Sequence, residues 1–230
     1  MSTFVLVPGA GGVAWYWHRV EPELRALGHD TIAVDLPGAD ERAGLPEYTA
    51  EVVAAIAGHD DVIVVAQSMG AFTAAMACAR VPIDVLVLVN AMIPAPGETP
   101  GQWWGNTGWE EARLAAAEAG GYGLEFDLAT YFLHDVPSEV LATGVDQERP
   151  EADVAFGQPC EIVAWPAVTT HVIAGTDDRF FPVEFQRRLS WERLGVIANE
   201  VPGGHLVALS RPVELSNLLH ECLAVSTRRT

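Results

Sequence analysis

Lysine is missing from the 230-residue sequence, and all 13 basic residues are arginine. Schiff-base chemistry on a lysine amine and a lysine general base are therefore excluded. Basic residues of any kind are scarce beside 31 acidic ones, and the net charge is −18. Such a surface disfavours nucleic acid and anionic membranes, since both are polyanions; by itself the acidity serves solubility. Long apolar runs are also lacking: none reaches the roughly 18 residues that cross a bilayer. Met1-Ser2-Thr3-Phe4 has no basic start of a signal peptide, so a cytoplasmic location is expected. Cysteine is limited to Cys78, Cys160 and Cys222. No pair has CxxC spacing, which excludes the zinc and dithiol motifs built on it, and all three read as structural residues. Neither a metal nor a cofactor is expected.

What is present suits one globular domain. Half of the residues are hydrophobic and 19% are charged, and the length allows a substantial core. The first half alternates strands and helices in a βαβ rhythm. Phe4–Val7 reads as a strand ending at Pro8-Gly9-Ala10-Gly11-Gly12, and apolar residues at Trp17, Val20, Leu24 and Leu27 predict a helix over 15–27. A strand at Thr31–Val34, a helix at Tyr48–Ala57, a strand at Val62–Val65 and a helix continuing to about Arg80 follow. Val85–Val89 is apolar throughout, as expected for a parallel strand covered on both faces. The rhythm breaks over 94–166, where Trp103, Trp104, Trp109, Tyr122, Phe126, Tyr131, Phe132 and Phe156 lie among prolines, glycines and acidic residues. It resumes with a strand at His171–Ala174, a helix at Val183–Leu194, a strand at Val196–Val201 and a helix at Pro212–Ala224; the tail 226–230 is expected to fray.

The most informative stretch is Ala66-Gln67-Ser68-Met69-Gly70, lying between an apolar strand and a helix. A serine on such a turn is exposed at the end of a sheet, and the tightness of the turn requires small neighbours, here Ala66 and Gly70. A serine hydroxyl needs an adjacent base. His205, in Gly203-Gly204-His205, is the histidine that follows the last strand and precedes the last helix. The others sit in helices (His18, His220), before or at strands (His29, His59, His171) or in the break, where His134 reads as a surface residue, with contact to a substrate as the alternative. The acid comes from Asp177 or Asp178; the spacing Gly175-x-x-Asp-x-x-x-Pro182 selects Asp178, leaving Asp177 as a turn residue. Backbone N–H groups of Met69 and Ala10 are the expected oxyanion donors. The loop Gly9-Ala10-Gly11-Gly12 matches neither GxGxxG nor a P-loop, so a nucleotide site is excluded.

On these residues the chain resembles the α/β-hydrolases related to plant methyl-ester esterases and hydroxynitrile lyases. The resemblance is carried by Phe4–Ala10, Ala14-Trp15-Tyr16-Trp17, Asp35-Leu36-Pro37, Val89–Pro94, Phe181–Gln186 and Gly203-Gly204-His205. It implies an α/β-hydrolase fold: a mostly parallel sheet flanked by helices, a core of 1–93 and 167–230, and a helical cap over 94–166. It also implies a Ser68, Asp178, His205 triad with Ala10 and Met69 as oxyanion donors. Two departures stand out. Pro8 replaces the histidine usual before the oxyanion loop, and the lyases' threonine and lysine positions hold Gly9 and Leu206. Without that lysine cation to receive leaving cyanide, lyase chemistry is disfavoured, and Ser68 excludes the aspartate-nucleophile members.

The expected function is hydrolysis of a small, largely apolar ester or thioester by a monomer or homodimer. The aromatic insertion points to an apolar pocket, with Gly9, Trp103 and Trp104 as substrate contacts. Trp103 and Trp104 cannot both face the same way on a helix. A cyclase or cofactor-free lyase using the same base, or a small-molecule receptor with a retained triad, remain the alternatives.

Overall fold

A computed structural model of the chain describes residues 1–147 and 149–226; the part of the expected frayed tail from 227 onward lies outside the described residues. Six strands form one sheet: β1 (Thr3–Val7), β2 (Asp30–Ala33), β3 (Val62–Gln67), β4 (Val85–Val89), β5 (Thr169–Gly175) and β6 (Asn199–Val201). Their order is β2-β1-β3-β4-β5-β6, and every pairing is parallel. The two-residue side-chain period splits each strand between two apolar layers. Val5, Val7, Val62, Val64, Leu86 and Leu88 face one core. Phe4, Leu6, Ile63, Val65, Val85 and Val87 face the other. Helices α2 (Leu45–Ile56), α3 (Gly70–Cys78) and α9 (Val183–Leu194) cover the first layer, and α1 (Val20–Ala26), the short α10 (Val207–Ser210) and α11 (Pro212–Ser226) the second.

The chain leaves β1 toward β2 on one side and returns to β3 on the other. Strand order thus reverses between β1 and β3, the place where open parallel sheets carry their sites at the carboxyl ends of the strands. Val7 pairs with Ala66, so the loops leaving β1 and β3 emerge side by side.

The expected helix over 15–27 is divided. Ala14–Trp17 forms a 3-10 turn and α1 starts at Val20. Pro22 supplies no N–H to the His18 carbonyl and its ring crowds that position, so one continuous helix cannot run through it. Leu27, expected on the buried face, is 38% exposed. The last strand is also shorter than expected, because Gly195 ends α9 in a left-handed conformation and only Asn199–Val201 reaches β5. Helix α2 begins at Leu45, three residues ahead of the expected Tyr48, with the Glu47 carboxylate accepting from the Gly44 N–H.

Residues between β4 and β5 contain α4 (Pro100–Thr107), α5 (Trp109–Gly120), α6 (Leu128–Tyr131), α7 (Ser138–Gly144), a 3-10 turn (Val145–Gln147) and α8 (Asp153–Phe156). The base of this insertion is tied to α9 by a buried pair: Arg193 meets Glu98, whose carboxylate also accepts from Asn106 and the Ala95 N–H. Arg113 of α5 is buried against the Trp109 and Tyr131 rings and donates to the Leu124 carbonyl and the Tyr131 hydroxyl. The three cysteines are free thiols, and burial pushes them up to about 12 (Cys78 and Cys160) and about 11 (Cys222). They therefore stay protonated at neutral pH, as structural residues would. No helix among the described residues is long and apolar enough to cross a membrane.

A histidine pair, with His29 buried and His220 exposed, links the start of β2 to α11. His29 Nε2 lies 2.9 Å from His220 Nδ1, with the His29 ring edge-on to Phe4. Burial, and then the neighbouring His220, lower the pKa of His29 from its ordinary 6.5. The unfolded chain therefore takes up this proton at higher pH than the folded one. Stability is complete above about pH 6.5 and declines as pH falls below it toward the depressed value. Urea unfolding at pH 7.5 and 5.5 should show a larger acid-side loss for the wild type than for His29→Gln. Equal losses would show that this histidine is not responsible.

Candidate active site

The site begins with the turn between β3 and α3. Ser68 has φ +49°, a left-handed conformation that costs on the order of 1–3 kcal/mol outside glycine and persists only where the surroundings enforce it. The enforcement is visible. The Ser68 N–H donates to the Val89 carbonyl at 3.2 Å, and the Ser68 carbonyl accepts from Met92 at 3.0 Å and Ala71 at 3.2 Å. The turn also presses on the loop after β1. A Cβ on Gly70 would run into the Pro8 carbonyl, and one on Gly9 would strike Gln67 Oε1 and come within 3.0 Å of Ser68 Cβ.

His205 reaches Ser68 from the far side of the sheet. Its Nε2 is 3.2 Å from Ser68 Oγ and its Nδ1 is 2.8 Å from Asp178 Oδ2. The ring is 1% exposed and surrounded by Phe132, Phe180 and Phe181, with centroids 4.7–5.1 Å away. Asp178 Oδ1 accepts from the Phe180 and Phe181 N–H groups, both at 2.8 Å, while Gln186 Nε2 donates to Oδ2 at 3.3 Å. These donors fix the orientation of the buried carboxylate. Asp177 points elsewhere, accepting from the Gly203 N–H at 3.0 Å. The two neighbouring aspartates thus take different partners: Asp178 meets the His205 ring and Asp177 the loop before it.

That loop depends on residues that sequence reasoning missed. Asn90, 0% exposed and at φ +44°, donates to the Gly204 and His205 carbonyls at 3.0 and 3.1 Å and accepts from the Gly175 N–H at 2.7 Å. Its signal in the sequence is a single polar residue closing an otherwise apolar strand. Asp135, from the insertion, accepts from the Gly204 N–H at 2.7 Å. Nothing local in the sequence marks Asp135. His134 beside it is half-buried against Gly204 rather than a surface residue.

Ser68 and His205 open into a cavity of about 320 Å³. Ala10 and Met69 line it, and no acceptor among the described residues takes the N–H of either. The remaining wall is Trp104, Phe132, Phe156, Phe180, Met92 and Leu206, together with Gln67. Among the described residues the lining has no aspartate, glutamate or arginine side chain. Two expected contacts are not on this wall. Trp103 is 0% exposed, donates its ring N–H to the Ile93 carbonyl at 3.0 Å and packs on Phe181 and Phe185. Successive residues on a helix face about 100° apart, so α4 turns Trp104 to the cavity and Trp103 to the core. Gly9 lets the loop close on the serine and does not face the cavity. A larger hollow of about 680 Å³ lies behind Asp178, bordered by Tyr122, Arg179, Glu184 and Arg211, and does not include Ser68. Among the described residues no group of His, Cys, Asp and Glu is arranged to hold a metal ion.

Comparison with known proteins agrees with this architecture. The model of the alpha/beta hydrolase family matches residues 4–218. The chain is 32% identical over 254 residues to methylesterase 3 of Arabidopsis thaliana, with 94% of each chain covered. It is 28% identical over 251 residues to norfluorocurarine synthase 1 of a Strychnos species, covering 95% of this chain and 94% of that protein. Among solved structures, polyneuridine aldehyde esterase superposes with a TM-score of 0.78 over 96% of this chain and 98% of its own, at 23% identity.

The close approach at the turn is measurable. Gly70→Ala should lower stability by about 1–3 kcal/mol, as overpacking does. Gly105→Ala, on an exposed stretch of α4 with open space around it, should stabilise by up to about 1 kcal/mol. Chemical denaturation of the two variants compares them directly, and a neutral Gly70→Ala would contradict the contact with Pro8.

Proposed function

The chain belongs to the alpha/beta hydrolase family, and from that premise we propose that it is a serine esterase cleaving small, uncharged, largely apolar esters through an acyl-enzyme on Ser68. The observation that carries this reading is the continuous hydrogen-bonded chain from Ser68 Oγ through His205 to Asp178, with its serine end in an apolar cavity.

Each atom in the chain has a task. With Nδ1–H donated to Asp178, His205 offers an unprotonated Nε2 to the serine hydroxyl. Ser68 Oγ attacks the ester carbonyl while its proton passes to Nε2, and the carbonyl oxygen becomes an oxyanion. The Ala10 and Met69 N–H groups, free of other acceptors, receive that charge. The tetrahedral intermediate collapses as the C–O bond to the alcohol breaks, and Nε2–H protonates the departing oxygen. Water then repeats the sequence on the acyl-enzyme: Nε2 accepts its proton, and Ser68 leaves with that proton returned. Asp178, held in place by three N–H donors, stabilises the transient imidazolium.

The wall selects the substrate. Trp104, Phe132, Phe156 and Phe180 favour an apolar or aromatic group, and a charged ester would meet no counter-charge there. Leu206, also on the wall, places an aliphatic side chain directly after His205, so an anionic leaving group finds no cation and an alcohol protonated by His205 suits the site better. The helices of 94–166 act as the cap that shapes this wall. A relative named as a synthase supports a second reading, a biosynthetic step using the same base.

Hydrolysis of p-nitrophenyl esters from acetate to decanoate tests the proposal. Ser68→Ala should lose turnover by roughly 10⁴-fold or more while still binding product analogues. Asp178→Asn should lose roughly 10⁴-fold, because the amide favours the wrong tautomer, whereas Asp177→Asn should stay within about tenfold of wild type. Wild-type protein that reacts with a phosphonate yet turns over none of the esters would favour the biosynthetic reading or a receptor. Activity surviving Ser68→Ala would remove the nucleophile assignment.

A further inference from the structure

The loop that carries Ala10 is held from the insertion. Gly11, the next residue, donates its N–H to Glu151 Oε2 at 2.6 Å, and the Tyr48 hydroxyl of α2 donates to Oε1 at 2.6 Å. The seat is close-fitting: a Cβ on Gly11 would stand 2.7 Å from the Arg149 carbonyl, and one on Gly38 would stand 2.9 Å from Glu151 Oε2. The chain on either side of Glu151 is fixed as well, by Ala152 N–H to the Gly38 carbonyl at 2.7 Å and by Arg149 to Asp35 at 3.3 Å.

The loop needs an external tie. Pro8 has no N–H to give, and Gly11 and Gly12 adopt φ of +86° and +67°, where the absence of a side chain leaves the backbone free to rotate. An oxyanion donor is useful only when held to within about 0.5 Å of its productive position. A charge-assisted bond to the residue next to Ala10 supplies that restraint. Glu151 itself does not line the cavity with Ser68.

We propose that Glu151 is a positioning residue for the esterase reaction: its carboxylate fixes Gly11 and so aims the Ala10 N–H at the oxyanion. This rests on the reading of Ser68 as nucleophile. The insertion then contributes to catalysis through the backbone of the core loop, in addition to shaping the cavity wall. The side chain is 140 residues from Gly11 along the chain, and no motif in the sequence announces it.

The test compares Glu151→Ala with Glu151→Gln, whose amide oxygen can still accept from Gly11 while its NH₂ donates to Tyr48. With a p-nitrophenyl ester, Glu151→Ala should lower kcat by about ten- to hundredfold with KM changed by less than about threefold, as expected for a misplaced donor. A matched trifluoromethyl ketone, which adds to the serine to give a tetrahedral oxyanion, should weaken by the same factor. Its inhibition constant does not depend on how much of the variant folds. Glu151→Gln should recover both values to within about threefold of wild type. Unchanged kcat in Glu151→Ala, a kcat loss without weaker ketone binding, or a glutamine variant no better than alanine would each overturn the proposal. Exchange of the Gly11 amide proton, followed by NMR, separates this from the esterase reading. If wild-type protein turns over no ester, that reading fails. Gly11 exchange at least tenfold faster in Glu151→Ala would then uphold Glu151 as the holder of the loop, and unchanged exchange would overturn it.

Discussion

Everything at this site depends on two backbones meeting with no side chain between them. Parallel pairing of β1 with β3 brings the Pro8–Gly12 loop against the Ser68 turn, and the contact closes only because Gly9 and Gly70 have no Cβ. A left-handed serine is unfavourable in isolation. Here its carbonyl and N–H are tied to Met92, Ala71 and Val89, so the cost is absorbed by hydrogen bonds of the surrounding fold. The same contact sets Ala10 and Met69 on either side of one small volume, where their unused N–H groups become an asset.

The opposite half of the site is governed by burial. His205 is enclosed by three phenylalanine rings and Asp178 by backbone N–H groups, so little water competes for their hydrogen bonds. A buried backbone group left without a partner is costly, and the loop finds its partners in side chains from distant segments. Asn90 spans the ends of β4 and β5 and the histidine loop, Asp177 takes Gly203 and Asp135 takes Gly204. The chemistry of a few atoms therefore rests on a larger network whose members never touch the cavity.

The insertion between β4 and β5 belongs to that network. It contributes apolar wall through Trp104, Phe132 and Phe156, but it also sends Asp135 to the residue before His205 and Glu151 to the residue after Ala10. The buried Glu98–Arg193 pair roots it on α9. Breaking such a pair would strand a buried charge, so the base of the insertion is held firmly. Part of the cavity wall and part of the loop geometry are thereby carried by one segment of the chain.

The βαβ rhythm of apolar strands and helices announced the parallel sheet, and turn residues marked Ser68, His205 and Asp178 as candidates, because these signals are local: an uninterrupted apolar run, a tight turn, a proline opening a helix. Local signals also misled where a distant or subtle constraint prevailed. Pro22 divided an apolar stripe that reads as one helix, and β6 kept only the three residues that pair with Ile173–Gly175 of β5. Only the tertiary structure decided between Trp103 and Trp104, since which face of α4 meets the core depends on where the insertion folds back. It alone joined Asn90 and Asp135 to the His205 loop and Glu151 to the Ala10 loop. Their partners lie far away in sequence, and a hydrogen bond of 2.7 Å is decided by packing in three dimensions, which no spacing along the chain encodes.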